Sequence, residues 1–173
     1  DTDRIDHKIV RALAGIGIPV ACILHGYVGF LFGSIKANPW WSTPLMFVIF
    51  IFSAIVSGLA VIIFLYQFVT WRGKTHIDQR ALDTMARFLW GFMIVAVVLE
   101  TMDVLSLAYE QTERWAVLRD LIMGRLWYTY VVCQLLICSL GPFLLLSVTA
   151  LCPLPRRLAN GLIFLSSVLL LAQ

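Results

Sequence analysis

Two carboxylates lie inside an otherwise uncharged apolar run, Phe88–Tyr109: Glu100 and Asp103. Their i, i+3 spacing puts both on one face of a helix. His25 is the one histidine inside such a run, Ala12–Ile35, whereas His7 and His76 lie in polar segments. An ionisable group at the centre of a membrane helix costs about 2.5–3.5 kcal/mol on insertion scales, and such groups usually face a bundle interior or a watery cavity. The chemistry this trio suits is proton handling, since carboxyl and imidazole groups held away from bulk water can share and pass a proton. Ser53, Ser57, Gln134 and Cys138 fall at similar depth on neighbouring runs and could complete one buried polar layer. The alternative is structural: the same groups would bond one another, or backbone carbonyls, as glue between helices.

Positioning such a layer requires membrane helices, and the composition calls for them. Of 173 residues, 61% are hydrophobic and 13% charged, with a mean hydropathy of +0.90, against about 25% charged in a soluble domain. That balance excludes a soluble globular fold, intrinsic disorder and a nucleic-acid-binding face. A bilayer core takes about 20 apolar residues as a helix. Five uncharged runs predict helices near 12–34, 45–70, 85–109, 127–151 and 158–173. Barrel strands would be about 10 residues of alternating polarity, and these runs are apolar on all sides. The expected class is therefore all-α and polytopic: one transmembrane domain over residues 1–173, a four-helix bundle plus the start of a fifth helix. The chain opens at Asp1 without Met and stops at Gln173 within an apolar run, which predicts a piece of a longer protein.

Nine Lys and Arg residues fall on one side of these helices and four on the other, so the positive-inside rule predicts a cytoplasmic N-terminus. Trp40, Trp41, Trp71, Trp115 and Trp127 sit where aromatic belts form. Tyr27, Tyr128 and Tyr130 could anchor at the same interface or donate a hydrogen bond to a quinone carbonyl. Cys22, Cys133, Cys138 and Cys152 form no CxxC pair, a spacing unlike that of iron–sulfur or structural zinc sites, and read as small buried hydrophobes. One intramembrane histidine is too few for paired haem ligands. Gly29/Gly33, Ser53/Ser57 and Ala54/Gly58 are small-xxx-small pairs that let backbones approach closely. Pro19 and Pro142 each remove a helical hydrogen bond and predict kinks.

Residues 17–58, GIPVACILHGYVGFLFGSIKANPWWSTPLMFVIFIFSAIVSG, carry a more specific pattern. Pro19 and His25 share a helix with the Gly29/Gly33 run; the Asn38-Pro39-Trp40 turn follows, then Pro44-Leu45 and the Ser57-Gly58 pair. This stretch, with the later helix bearing Glu100, resembles the NrfD/PsrC family of polysulfide-reductase membrane subunits, especially its DsrP/HybB-like branch. The resemblance implies a subunit of eight to ten membrane helices in two four-helix bundles, with this chain as the second bundle. It further implies no haem or iron–sulfur cluster in the chain, with quinone, menaquinone foremost, as substrate. The implied partner is a periplasmic ferredoxin-like iron–sulfur subunit among other respiratory-complex subunits, in a bacterial or archaeal cytoplasmic membrane. On that basis the chain is expected to belong to a quinone-linked oxidoreductase complex, with His25, Glu100, Asp103, Ser57 and Gln134 as the polar cluster for proton transfer. A proton-coupled transporter and a purely structural membrane anchor are the rival readings.

Overall fold

The computed structural model describes residues 2–35, 43–73, 76–110, 113–152 and 154–172. Its regular structure is all helical among the described residues: α1 (Thr2–Ser34), α2 (Met46–Gly73), α3 (Gln79–Glu110), α4 (Glu113–Asp120), α5 (Gly141–Leu151) and α6 (Arg156–Leu171). Two π-helical segments, Leu121–Arg125 and Trp127–Leu140, lead from α4 into α5. Four stretches are long and apolar enough to cross a membrane: Lys8–Ser34, Met46–Gly73, Gln79–Glu110 and Trp127–Leu151. Trp40, Trp41 and the Asn38-Pro39-Trp40 turn lie outside the described residues.

Two features differ from the sequence expectation. The connection after α3 contains a helix of its own, α4, whose ERWAVLRD sequence has no Gly or Pro to break it. The fourth span is not uniformly α-helical. The Leu126 amide donates to the Leu121 carbonyl at 2.9 Å, and the Gly141 amide donates to Leu136; both are i→i−5 bonds of a π-helix. Pro142 follows at the start of α5, so its missing N–H falls where the π pattern gives way to α. Pro19, by contrast, lies within a continuous α1.

The chain divides into two compact units, residues 1–51 and 52–173, with the boundary inside α2. In the first, one face of α1 is stripped of side chains so that the start of α2 can approach. A Cβ added at Gly29 would stand 2.8 Å from the Met46 carbonyl oxygen and 2.9 Å from the Phe50 Cβ. At Gly33 it would stand 2.8 Å from the Thr43 carbonyl oxygen. Gly26 extends the same track: there the added atom would meet the Phe47 ring. Phe32 stacks on Phe50 with ring centroids 5.6 Å apart. The Gly29/Gly33 expectation is thus met. Gly58 is different, because among the described residues nothing lies within 4 Å of the Cβ it would carry.

The second unit has an apolar core drawn from α2, α3, α5 and α6. Ala60, Ile63, Leu82, Leu89, Leu146 and Ile163 are almost fully enclosed. Phe64 stacks on Phe164, with ring centroids 5.5 Å apart. Asp78 caps α3: its Oδ1 accepts the Arg80 amide at 3.0 Å and the Ala81 amide at 3.4 Å. Its own amide donates to the Tyr66 hydroxyl at 2.9 Å, tying the connection back to α2. Hydroxyls within the spans are satisfied by carbonyls of their own helix, as at Thr70, Thr101 and Ser166. This answers the bilayer's lack of water partners.

Trp90 Nε1 on α3 donates to the Ser147 hydroxyl on α5 at 2.9 Å, and that hydroxyl donates onward to the Phe143 carbonyl at 2.7 Å. Ser147→Ala should lower stability by about 1 kcal/mol, within the range of membrane interhelical hydrogen bonds. A double-mutant cycle with Trp90→Phe, read by thermal unfolding in detergent, should give a coupling of similar size. Strict additivity would show that this bond adds nothing.

Candidate functional site

Glu100 lies past the middle of α3, on a turn that faces α2 residues and the π-helical segment. Its side chain lines a cavity of about 30 Å³ together with Ser53, Val56, Met93 and Ser139. That volume holds a water molecule but little more. The walls are of two kinds. Val56 and Met93 are buried and exclude bulk water from one side. Ser53 and Ser139 supply hydroxyls, each able to donate one hydrogen bond and accept others. A water in this space would stand among a carboxyl and two hydroxyls, an arrangement that can carry a proton between them.

Ser139 was not singled out by the sequence. Its signal is hidden because α-helical periodicity groups Gln134 and Cys138, whereas a π-helix adds a residue per turn and moves a different side chain onto the inner face. Gln134 is exposed, and Cys138 is buried, yet neither lines the Glu100 cavity. Ser57 also lies outside it: it is exposed, and its hydroxyl donates to the Ala54 carbonyl of its own helix at 3.2 Å. Asp103, one turn beyond Glu100, is half-buried and does not line this cavity.

His25 belongs to the first unit. Its Nδ1 lies 2.9 Å from the Ala21 carbonyl oxygen, one turn earlier on α1. A carbonyl only accepts, so Nδ1 carries the hydrogen and Nε2 of the neutral ring is left as an acceptor. The ring is exposed on the helix surface. Among the cysteines only Cys138 is buried; Cys22 is half-buried, and Cys133 and Cys152 are exposed. The reading of all four as buried hydrophobes therefore holds within this chain for Cys138 alone. Tyr27 and Tyr128 are exposed at 57% and 78%, and Trp71 at 77%.

A further polar contact joins α2 to α6. Gln67 Nε2 donates to the Asn160 carbonyl at 3.1 Å. The side-chain oxygens of Gln67 and Asn160 are both buried without a protein partner, and each calls for a donor such as an ordered water.

The family model for polysulphide reductase, NrfD, matches residues 3–173. A selenate reductase subunit from Mesobacillus selenatarsenatis is 31% identical over 165 residues, covering 94% of this chain. The chain spans 37% of that relative's length. No solved structure matches. With a family match running through all the described helices, this multi-pass membrane protein belongs to the NrfD family of polysulphide reductase subunits.

Proposed function

We propose that the chain is the second helical bundle of a quinone-interacting membrane subunit in a respiratory reductase complex. The subunit would exchange electrons between membrane quinone, menaquinone foremost, and a periplasmic ferredoxin-like iron–sulfur partner. Family membership over residues 3–173 carries this reading. The name of the selenate reductase relative supports a place in a multi-subunit reductase. The distribution of Lys and Arg supports a cytoplasmic N-terminus in a bacterial or archaeal cytoplasmic membrane. The residue 17–58 pattern supports the DsrP/HybB-like branch.

The Glu100 cavity does not fit a quinone ring: about 30 Å³ admits a water, not a six-membered ring with its substituents. The Glu100 cavity is therefore assigned to proton handling and not to holding the quinone ring. Glu100 holds a proton at its carboxyl, and Ser53 and Ser139 position the water that receives or delivers it. Val56 and Met93 are buried on one side of that water, while Glu100 and Ser53 are exposed on the surface of their helices. Asp103 is a second carboxyl one turn along α3, and His25, in the first unit, offers a separate acceptor at Nε2.

Purifying the complex in mild detergent through this protein, followed by mass spectrometry of proteins and lipid-soluble cofactors, tests the assignment. A partner with several four-cysteine cluster motifs and bound quinone are expected. Recovery of the protein without redox partners would favour proton-coupled transport instead.

A further inference from the structure

The second unit contains a larger cavity, of about 250 Å³, where the start of α3, the end of α5 and the start of α6 meet. The start of α3 and the end of α5 are termini of membrane-crossing stretches, so the cavity opens at the level of the membrane boundary. Its lining carries both signs of charge: Arg87 and Asp83 from α3 and Arg156 from α6. Asp83 and Arg87 are four residues apart, a spacing at which helical ion pairs form. Among the described residues, however, neither is ion-paired, and Arg156 has no acidic partner. Leu146 and Ile163, 1% and 2% exposed, form an apolar wall behind the charges.

Two guanidiniums suit a phosphate, which they can hold by charge-assisted, bidentate hydrogen bonds. A carboxylate beside them suits an ammonium. The start of α6 adds unpaired backbone N–H groups at a helix with no side-chain cap. The cavity is below the roughly 300–1,000 Å³ of sites for drug-sized ligands and suits a group of a few heavy atoms. Leu151 and Leu158, adjacent in sequence to the lining residues Cys152 and Ala159, are exposed and offer apolar surface for acyl chains. We propose that this cavity binds the phosphoethanolamine headgroup of a membrane lipid, its phosphate between Arg87 and Arg156 and its ammonium on Asp83. A purely anionic lipid would leave Asp83 unmatched beside its negative charge. Phosphoethanolamine complements both signs.

Native mass spectrometry of the delipidated complex, titrated with phosphatidylethanolamine and phosphatidylglycerol of identical chains, tests this. The wild type should prefer phosphatidylethanolamine. Joint Arg87→Gln and Arg156→Gln replacement should weaken its binding at least tenfold, while the Lys pair, which keeps the charges but not the bidentate geometry, should weaken it less. Asp83→Asn should reverse the preference toward phosphatidylglycerol. Arg157→Gln, outside the cavity, should change nothing. Thermal unfolding of each variant separates a lost site from a lost fold. Equal or tighter binding of phosphatidylglycerol by the wild type would overturn the proposal, as would unaltered phosphatidylethanolamine binding by the Gln pair. Soluble phosphoethanolamine binding as tightly as the lipid would identify a free metabolite as the ligand and overturn the lipid assignment.

Discussion

Glu100→Gln should slow quinone-linked turnover of the assembled complex by about a hundredfold, the lower end of what a positioned proton-transfer group contributes. The carboxamide keeps the shape of the side chain and can still bond a water beside Ser53 and Ser139. What it loses is the exchangeable acid proton. Assembly and quinone content should therefore be unchanged, and turnover per assembled complex is the quantity to measure. Glu100→Asp should recover part of the rate, since it restores the acid on a shorter stem. Ser139→Ala should cost less, several-fold, because one hydroxyl of the water's surroundings is lost while the carboxyl remains. Full turnover in assembled Glu100→Gln would remove Glu100 from the mechanism.

The largest expected effect on stability is at Gly29. A valine there would drive its Cβ to 2.8 Å from a backbone oxygen and 2.9 Å from the Phe50 Cβ, and a further two methyls would have no space. Overpacking of this kind costs about 1–3 kcal/mol and sometimes more. Because the nearest obstacle is the backbone carbonyl of Met46, rotation of a side chain cannot relieve it. Gly29→Val should lower stability by about 3 kcal/mol, the upper end of that range, and reduce the amount of inserted protein. Gly58→Ala is the matched comparison: the site is open, and replacing a helix-interior glycine by alanine gains roughly 0.5–1 kcal/mol. Thermal unfolding in detergent with quantification of membrane-inserted protein checks both. Equal behaviour of the two variants would show that the α1–α2 approach is not close in the protein.

The helices were legible because hydropathy and length alone dictate where a backbone can cross a bilayer: apolar runs such as 46–73 leave no other solution. The Gly29/Gly33 approach was legible for a similar reason, since glycines at that spacing have few uses except proximity. Gly58 shows the limit of that signal, as the same pattern can face open space. Glu100 announced itself by the cost of placing a carboxyl in an apolar run. Its neighbours did not. Ser139 reaches the cavity through a π-helical register that hydropathy does not encode, because Leu, Ile and Val fill every face of that span. Asp78 as the cap of α3 and α4 within the connection between the third and fourth spans were likewise hidden. Both depend on local backbone geometry, while the sequence pattern reports mainly burial in lipid.

The infrared difference spectrum between oxidised and reduced states of the assembled complex tests the central claim most directly, because a carboxyl that gains or loses a proton changes its C=O stretch. The account predicts a redox-linked carboxyl band that shifts in heavy water and is absent from Glu100→Gln. The same band persisting undiminished in that variant would contradict it.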